Sequence, residues 1–239
     1  SDLGRLEAGV SVGVPMNYEH LKHGLYPDTH DAEDFTYERI ARLLRAVRGE
    51  PVSDFEGTAG IETFFRHIQP HVPDLAARLW HGVGSLGSAT WAGQQGLNLL
   101  ASIVVRAEDD DVDFDAIQRR QINAFHAHHP EGRNARVSIG PVVIPTDSAS
   151  PEQIARYTAY VEARSARVGV PQGPGRLLFA QDLLGTSEQL AERLADLAAF
   201  QAVDELVVAL PFTFEHEDYL QMLEDLATRL GPLLGWNPA

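Results

Sequence analysis

Apolar residues recur along this chain in two periods. From Phe35 to Arg48, Ile40, Leu43, Leu44 and Val47 fall at helical spacing between arginines and glutamates, and Gly49 supplies a stop. The same period predicts a helix from Phe114 to about His128 (Ile117, Ile122, Phe125), one from Pro151 to about Val168, one from Gln189 to Phe200 with Thr186 or Ser187 as N-cap, and one from about His216 to Leu230. Between them lie short apolar runs with the character of buried strands: Leu6 to Val12, Arg78 to Val83, Leu97 to Val105, Arg136 to Ile144 and Glu205 to Leu210, with a further short run at Arg176 to Phe179. Residues 50–74 mix Pro, Gly, Phe and charged residues without a sustained period and read as a long loop or insertion. Strand and helix alternate, which predicts an α/β fold with a parallel sheet, because parallel neighbours need crossover connections.

One junction carries candidate chemistry. Gly82-Val83-Gly84-Ser85-Leu86-Gly87-Ser88 stands where a strand hands over to a helix that runs to Gln95 and closes at Gly96. Small residues there let backbone N–H groups converge on an anion, two serines add hydroxyls, and the helix start carries partial positive charge. The plainer reading is a Ser N-cap on an ordinary strand-to-helix turn, and the pattern matches neither the P-loop nor the dinucleotide fingerprint.

Composition narrows the partners. The 239 residues hold 19 Lys plus Arg against 34 Asp plus Glu, a formal net charge of −15. Such a surface repels phosphate backbones and anionic lipid on average, so nucleic acid and membrane drop out as partners. With no cysteine, disulfides, thiolate metal sites and cysteine nucleophiles are excluded. No apolar run approaches a membrane span and no signal peptide is apparent at the start, so the expected location is the cytoplasm.

The stretch from Arg78 to Leu100, with its Ser-rich turn, Trp91-Ala92 helix and terminal Gly96, resembles the bacterial luciferase-like monooxygenases, flavin- or deazaflavin-dependent TIM barrels. Gly4 to Gly13 resembles that family's fourth strand, Glu38 to Val52 the segment before its long insertion, and Leu184 to Leu194 the helix opening before its eighth strand. The resemblance implies a single barrel domain over 1–239, with the insertion at about 50–74. It accounts for strands four to eight and leaves one to three without a counterpart. Five strands cannot close an eight-stranded barrel, so the expected protein is about a hundred residues longer at its start.

By resemblance, the cofactor phosphate falls on Gly84, Ser85, Leu86 and Ser88, the first and third as backbone donors. Ser11, His81 and His216 fall near the flavin ring or substrate, and no catalytic acid or base carries over. Two departures, Gly84 in place of an acidic residue and Val12 in place of an arginine, count against the light-emitting branch. The implied activity is oxidation of a small organic substrate with reduced FMN and O2, with a flavin reductase as supplier and a homodimer as assembly. Hydride transfer with coenzyme F420 is the alternative, and a non-catalytic flavin-binding subunit is a rival from another class.

Two clusters invite a metal. His126, His128 and His129 do not share one helix face, so solvated histidines at a helix C-terminus are favoured over a metal-dependent hydrolase. The run Glu108 to Asp113 lacks the glycine and distal glutamate of an EF-hand and reads as a helix-capping acidic loop. No metal is expected.

Overall fold

A computed structural model describes residues 6–12, 18–108 and 110–236. The chain falls into two compact units, 1–82 and 83–239. In the first, β1 (Ala8–Val10) pairs in parallel with β4 (Leu79–Val83), Gly9 standing beside Trp80 and Val10 beside His81. Between these strands come α1 (Tyr18–Leu25) and α2 (Tyr37–Val47). The second of these is the helix its period predicts: Thr36 caps it, Ile40 and Leu44 are buried, and Gly49 ends it at φ +78°. The sequence pattern gave no sign of α1, whose apolar residues are few and which buries none of them.

The segment 50–74 is more ordered than a loop. It holds an antiparallel hairpin of β2 (Gly57–Ala59) and β3 (Glu62–Phe64), turned at Gly60 with φ +65°. A turn that needs a left-handed residue is the local reason glycine stands there.

The second unit is built on α3 (Leu86–Gln94), β5 (Asn98–Ala101), α4 (Phe114–His128), β7 (Val137–Ile139) and β11 (Glu205–Leu206), with β5, β7 and β11 paired in parallel. Leu99, Ala101, Val137 and Ile139 turn one face of these strands toward Ala89 and Ala92 of α3 and Ile122 and Phe125 of α4, forming the main core. The long strands expected over 97–105 and 136–144 are each broken in two. After Ser102-Ile103 the chain resumes as β6 (Val104–Arg106), antiparallel to β9 (Leu177–Phe179). After Gly140-Pro141-Val142 it resumes as β8 (Val143–Pro145), parallel to β10 (Leu183–Gly185). Pro141 has no N–H for a ladder bond, and a Cβ on Gly140 would lie 3.4 Å from the Val207 carbonyl oxygen, so the strand has both a breaker and a close neighbour at the break. α5 (Pro151–Ser165), α6 (Ser187–Ala195), α7 (His216–Asp225) and α8 (Gly231–Leu233) complete the unit. Thr186 is the N-cap of α6, in a reciprocal capping box with Gln189.

Candidate functional site

The 84–88 turn forms as a capped helix start. Ser85 has extended backbone (φ −148°, ψ 159°) and its Oγ accepts from the Ser88 N–H at 3.2 Å, while the Ser88 Oγ accepts from the Ser85 N–H at 3.2 Å and donates to the Ser85 carbonyl at 2.9 Å. Both hydroxyls are thus engaged in holding the turn. The donors left over by the geometry of a first helical turn are the N–H groups of Leu86 and Gly87.

The two glycines differ in reason. A Cβ on Gly84 would meet the Val104 carbonyl at 3.0 Å, and the Gly84 carbonyl accepts from the Arg106 N–H at 2.7 Å, so Gly84 is required by the approach of β6. A Cβ on Gly87 would meet nothing within 4 Å, and Leu86 is 44% exposed, so the space beside the leftover donors is open. No acidic side chain stands in the first turn of α3. In a chain of net charge −15, an open helix start without a carboxylate suits an anion.

His81 is buried. It shares a face of β4 with Leu79 and Val83, is 2% exposed, and its Nδ1 stands 2.9 Å from the Val10 carbonyl with the Tyr37 ring edge-on at 6.1 Å. Burial pushes its pKa below the usual imidazole value, against the opposing pull of the Val10 carbonyl. This is a neutral core histidine held between α2 and β1. Ser11 follows β1 and is exposed; by the alternation of a strand it takes the face of Gly9, opposite His81. His216 opens α7, exposed, beside the capping pair Glu215 and Asp218.

The metal readings find no support in the geometry. His126 Nδ1 is 2.9 Å from the Gly132 carbonyl and His128 Nδ1 is 2.8 Å from that of Ala124, and among the described residues no group of three metal-ligating side chains forms. Arg120 pairs with both Glu108 (3.1 Å) and Asp111 (2.7 Å), and Asp113 caps α4 through the Ala116 N–H. The acidic loop is a tethered helix cap.

Two polar features were not read from the sequence. The face of the β5–β7–β11 strands opposite the core carries Leu100, Ser138 and Glu205 in register, with Ser138 buried and Glu205 held by a two-pronged Arg136 at 2.7 and 3.0 Å. Alternation of polar residues inside apolar runs was the available signal. The other is a pair of fully buried carboxylates on α7, Asp218 and Asp225. Asp218 receives Arg156 (2.5 Å), Gln153 (3.1 Å), the Tyr157 hydroxyl (3.3 Å) and the Glu215 N–H (3.3 Å). Asp225 receives the Ser148 N–H (2.9 Å) and Gln221 (2.6 Å), with Arg229 at 3.1 Å. Gln153, Arg156 and Tyr157 belong to α5 and Ser148 to the loop after β8, so α7 is keyed to both. Asp and Glu on a surface-like helix carry no sequence mark of burial.

Among known proteins, no family model and no curated protein matches this sequence. Solved structures do. The chain is similar to apo-MsnO8, at 16% identity and TM-score 0.56 over 98% of this chain and 79% of that one. It is likewise similar to the monooxygenase RslO1 from Streptomyces bottropensis, at 13% identity and TM-score 0.56 over 96% and 69%. A third is the oxygenating constituent of 3,6-diketocamphane monooxygenase from Pseudomonas putida, a type II Baeyer-Villiger enzyme in complex with FMN, at 14% identity and TM-score 0.52 over 96% and 71%. The chain therefore shares the α/β fold of these structures, in agreement with the luciferase-like resemblance of its sequence. No helix among the described residues is long and apolar enough to cross a membrane.

Proposed function

We propose that this protein is a flavin-dependent oxidoreductase of the luciferase-like type, its sheet forming part of that family's barrel, and that the turn 84–88 holds the phosphate of FMN. The observation that carries the proposal is the open, uncharged start of α3 directly after β4, in a chain with the fold of monooxygenases of which one binds FMN. Leu86 and Gly87 donate backbone N–H groups to the phosphate, and the mutual lock of Ser85 and Ser88 keeps those donors aimed without reorganisation. When bound, the flavin supplies the redox chemistry; the chain orients it and limits water around it. By resemblance, Ser11 and His216 are the residues to examine near the ring and substrate.

The sharpest test is Leu86→Pro. Proline is tolerated at the first helical position, and the extended Ser85 is compatible with a following proline, so the change deletes one N–H while keeping the helix. FMN titration followed by flavin fluorescence is expected to show saturable binding that weakens about tenfold in this variant. Riboflavin, which lacks the phosphate, is expected to bind equally to both proteins. Equal FMN affinity in the two overturns the phosphate assignment, and no saturable binding of FMN or of the deazaflavin F420 overturns the flavin reading. Ser85→Ala is expected to weaken FMN binding as well, but with about 1 kcal/mol of lost stability from the missing cap, measured by chemical denaturation.

A further inference from the structure

A cavity of about 230 Å³ lies where β5 and β7 end, between Ser102-Ile103, Gly140-Pro141 and the start of α4. It is on the helix side of these strands, since Ile139 in its wall also belongs to the core shared with α3 and α4, and no residue of the 84–88 turn lines it. Crevices at the carboxyl ends of parallel strands are where such sheets hold ligands. The wall is mostly apolar, with Ile103, Phe114, Pro141, Val168 and Leu183.

One polar side chain in that wall is only half satisfied. Gln118 is 6% exposed, and its Nε2 donates to the Ser102 carbonyl at 2.8 Å. A carbonyl can only accept, so this bond fixes the amide nitrogen toward Ser102 and leaves Oε1 as an acceptor to which nothing among the described residues donates. Oε1 is not sealed from solvent, in contrast to both polar atoms of Gln121 one turn on, so it is open to the cavity that Gln118 lines. Asp115 has both oxygens taken, by the Ala198 and Ala199 N–H groups at 2.7 and 2.9 Å, and Asp113 caps α4 at the exposed rim. Among the described residues no cationic side chain lines the space.

We propose that this cavity binds a neutral single-ring alcohol or phenol, whose hydroxyl donates to Gln118 Oε1. A buried acceptor without a donor is costly and selects a ligand that supplies one. An engineered apolar cavity of about 150 Å³ holds benzene, so the volume here suits one substituted ring. Two carboxylates in the wall and no cation turn away an organic acid of the same size.

Phenol, toluene and benzoate are titrated into the whole protein and followed by amide chemical shifts. Phenol is expected to bind saturably, with shifts centred on Ser102, Gln118 and Ile139, and benzoate is expected not to bind. Gln118→Leu removes the acceptor at nearly constant volume. It is expected to weaken phenol about tenfold and to tighten toluene, which has the shape of phenol without its donor. Ala180→Leu fills the cavity from another part of its wall, keeps Gln118, and is expected to abolish binding of both, which serves where Gln118→Leu does not fold. Leu86→Pro is expected to leave phenol binding unchanged, so that this site and the flavin site succeed or fail separately. Absence of saturable phenol binding, or undiminished phenol affinity in Gln118→Leu or in Ala180→Leu, overturns the site. Equal weakening of toluene and phenol in Gln118→Leu overturns the hydrogen bond, and benzoate binding as tightly as phenol overturns the neutral class.

Discussion

Replacing Asp218 by alanine is expected to destabilise the protein by about 3 kcal/mol, because a buried carboxylate that gathers several donors leaves them unmet when it goes. Gln153 and the Glu215 N–H lose their acceptor beside Tyr157, which is fully buried against Met222 and Phe214 and keeps the bond from its hydroxyl to the Gln221 side-chain oxygen at 2.9 Å. Arg156 is 48% exposed and returns to water, which keeps the cost below that of a wholly buried pair. Asp218→Asn preserves the shape, removes the charge and turns the oxygen that accepts from the Glu215 N–H into a donor. Desolvation raises the Asp218 pKa, but Arg156, Gln153 and the Glu215 N–H outweigh it, and the carboxyl sits below its usual value. A depressed folded-state pKa means the unfolded chain takes up the proton first, so the stabilisation is complete above about pH 4, the unfolded value, and fades as pH falls through the folded one. Urea denaturation of wild type and Asp218→Asn across an acid series reads this directly. The gap between them is expected to close on acidification, and a gap independent of pH would show that packing and hydrogen bonding, and not charge, set it.

Gly93→Ala is expected to cost about 2 kcal/mol, against the sign that helix propensity alone assigns. In an exposed helix interior the change gains up to about 1 kcal/mol. Here α3 is pressed on α4, and the added carbon would stand 2.6 Å from the Phe125 carbonyl oxygen and 3.2 Å from the His129 nitrogen. Both are backbone atoms, joined by a hydrogen bond at 2.9 Å that ends α4, so neither can swing aside as a flexible side chain would. Thermal unfolding measures the effect, and Gly87→Ala serves as the control, since a Cβ there meets nothing within 4 Å. Destabilisation of Gly87→Ala equal to that of Gly93→Ala would refute the steric account.

Much of the architecture was legible because local rules and tertiary packing agree. α4 begins and ends at the residues its apolar period marks, since Ile117, Ile122 and Phe125 are the side chains the core takes up. Thr186 and Ser85 cap their helices through hydroxyls that bond the backbone within three residues, an interaction contained in the sequence itself. Strand ends were less legible. Val104 and Val105 are as apolar as Leu99, but β6 leaves the β5 ladder to pair with β9, some seventy residues away, and hydrophobicity does not name a partner.

The same division holds for the site. Glycine and serine between a strand and a helix, a chain without thiols and an acidic net charge are facts of sequence, and the anion at a helix start that we propose is one of the two readings they leave open, the other being a plain serine cap. Which donors remain was decided only by the fold: the serine hydroxyls are spent on each other, Gly84 is claimed by the Val104 carbonyl, and Leu86 and Gly87 are left facing open space. His81 was undecidable from its position beside the glycines, since the strand's alternation permits two faces and the register with Val10 selects the buried one. Burial of Asp218 and the stacking of Arg167 on Phe179 likewise depend on residues distant along the chain. A charge's worth is set by what surrounds it in space, and that is the quantity a linear sequence does not carry.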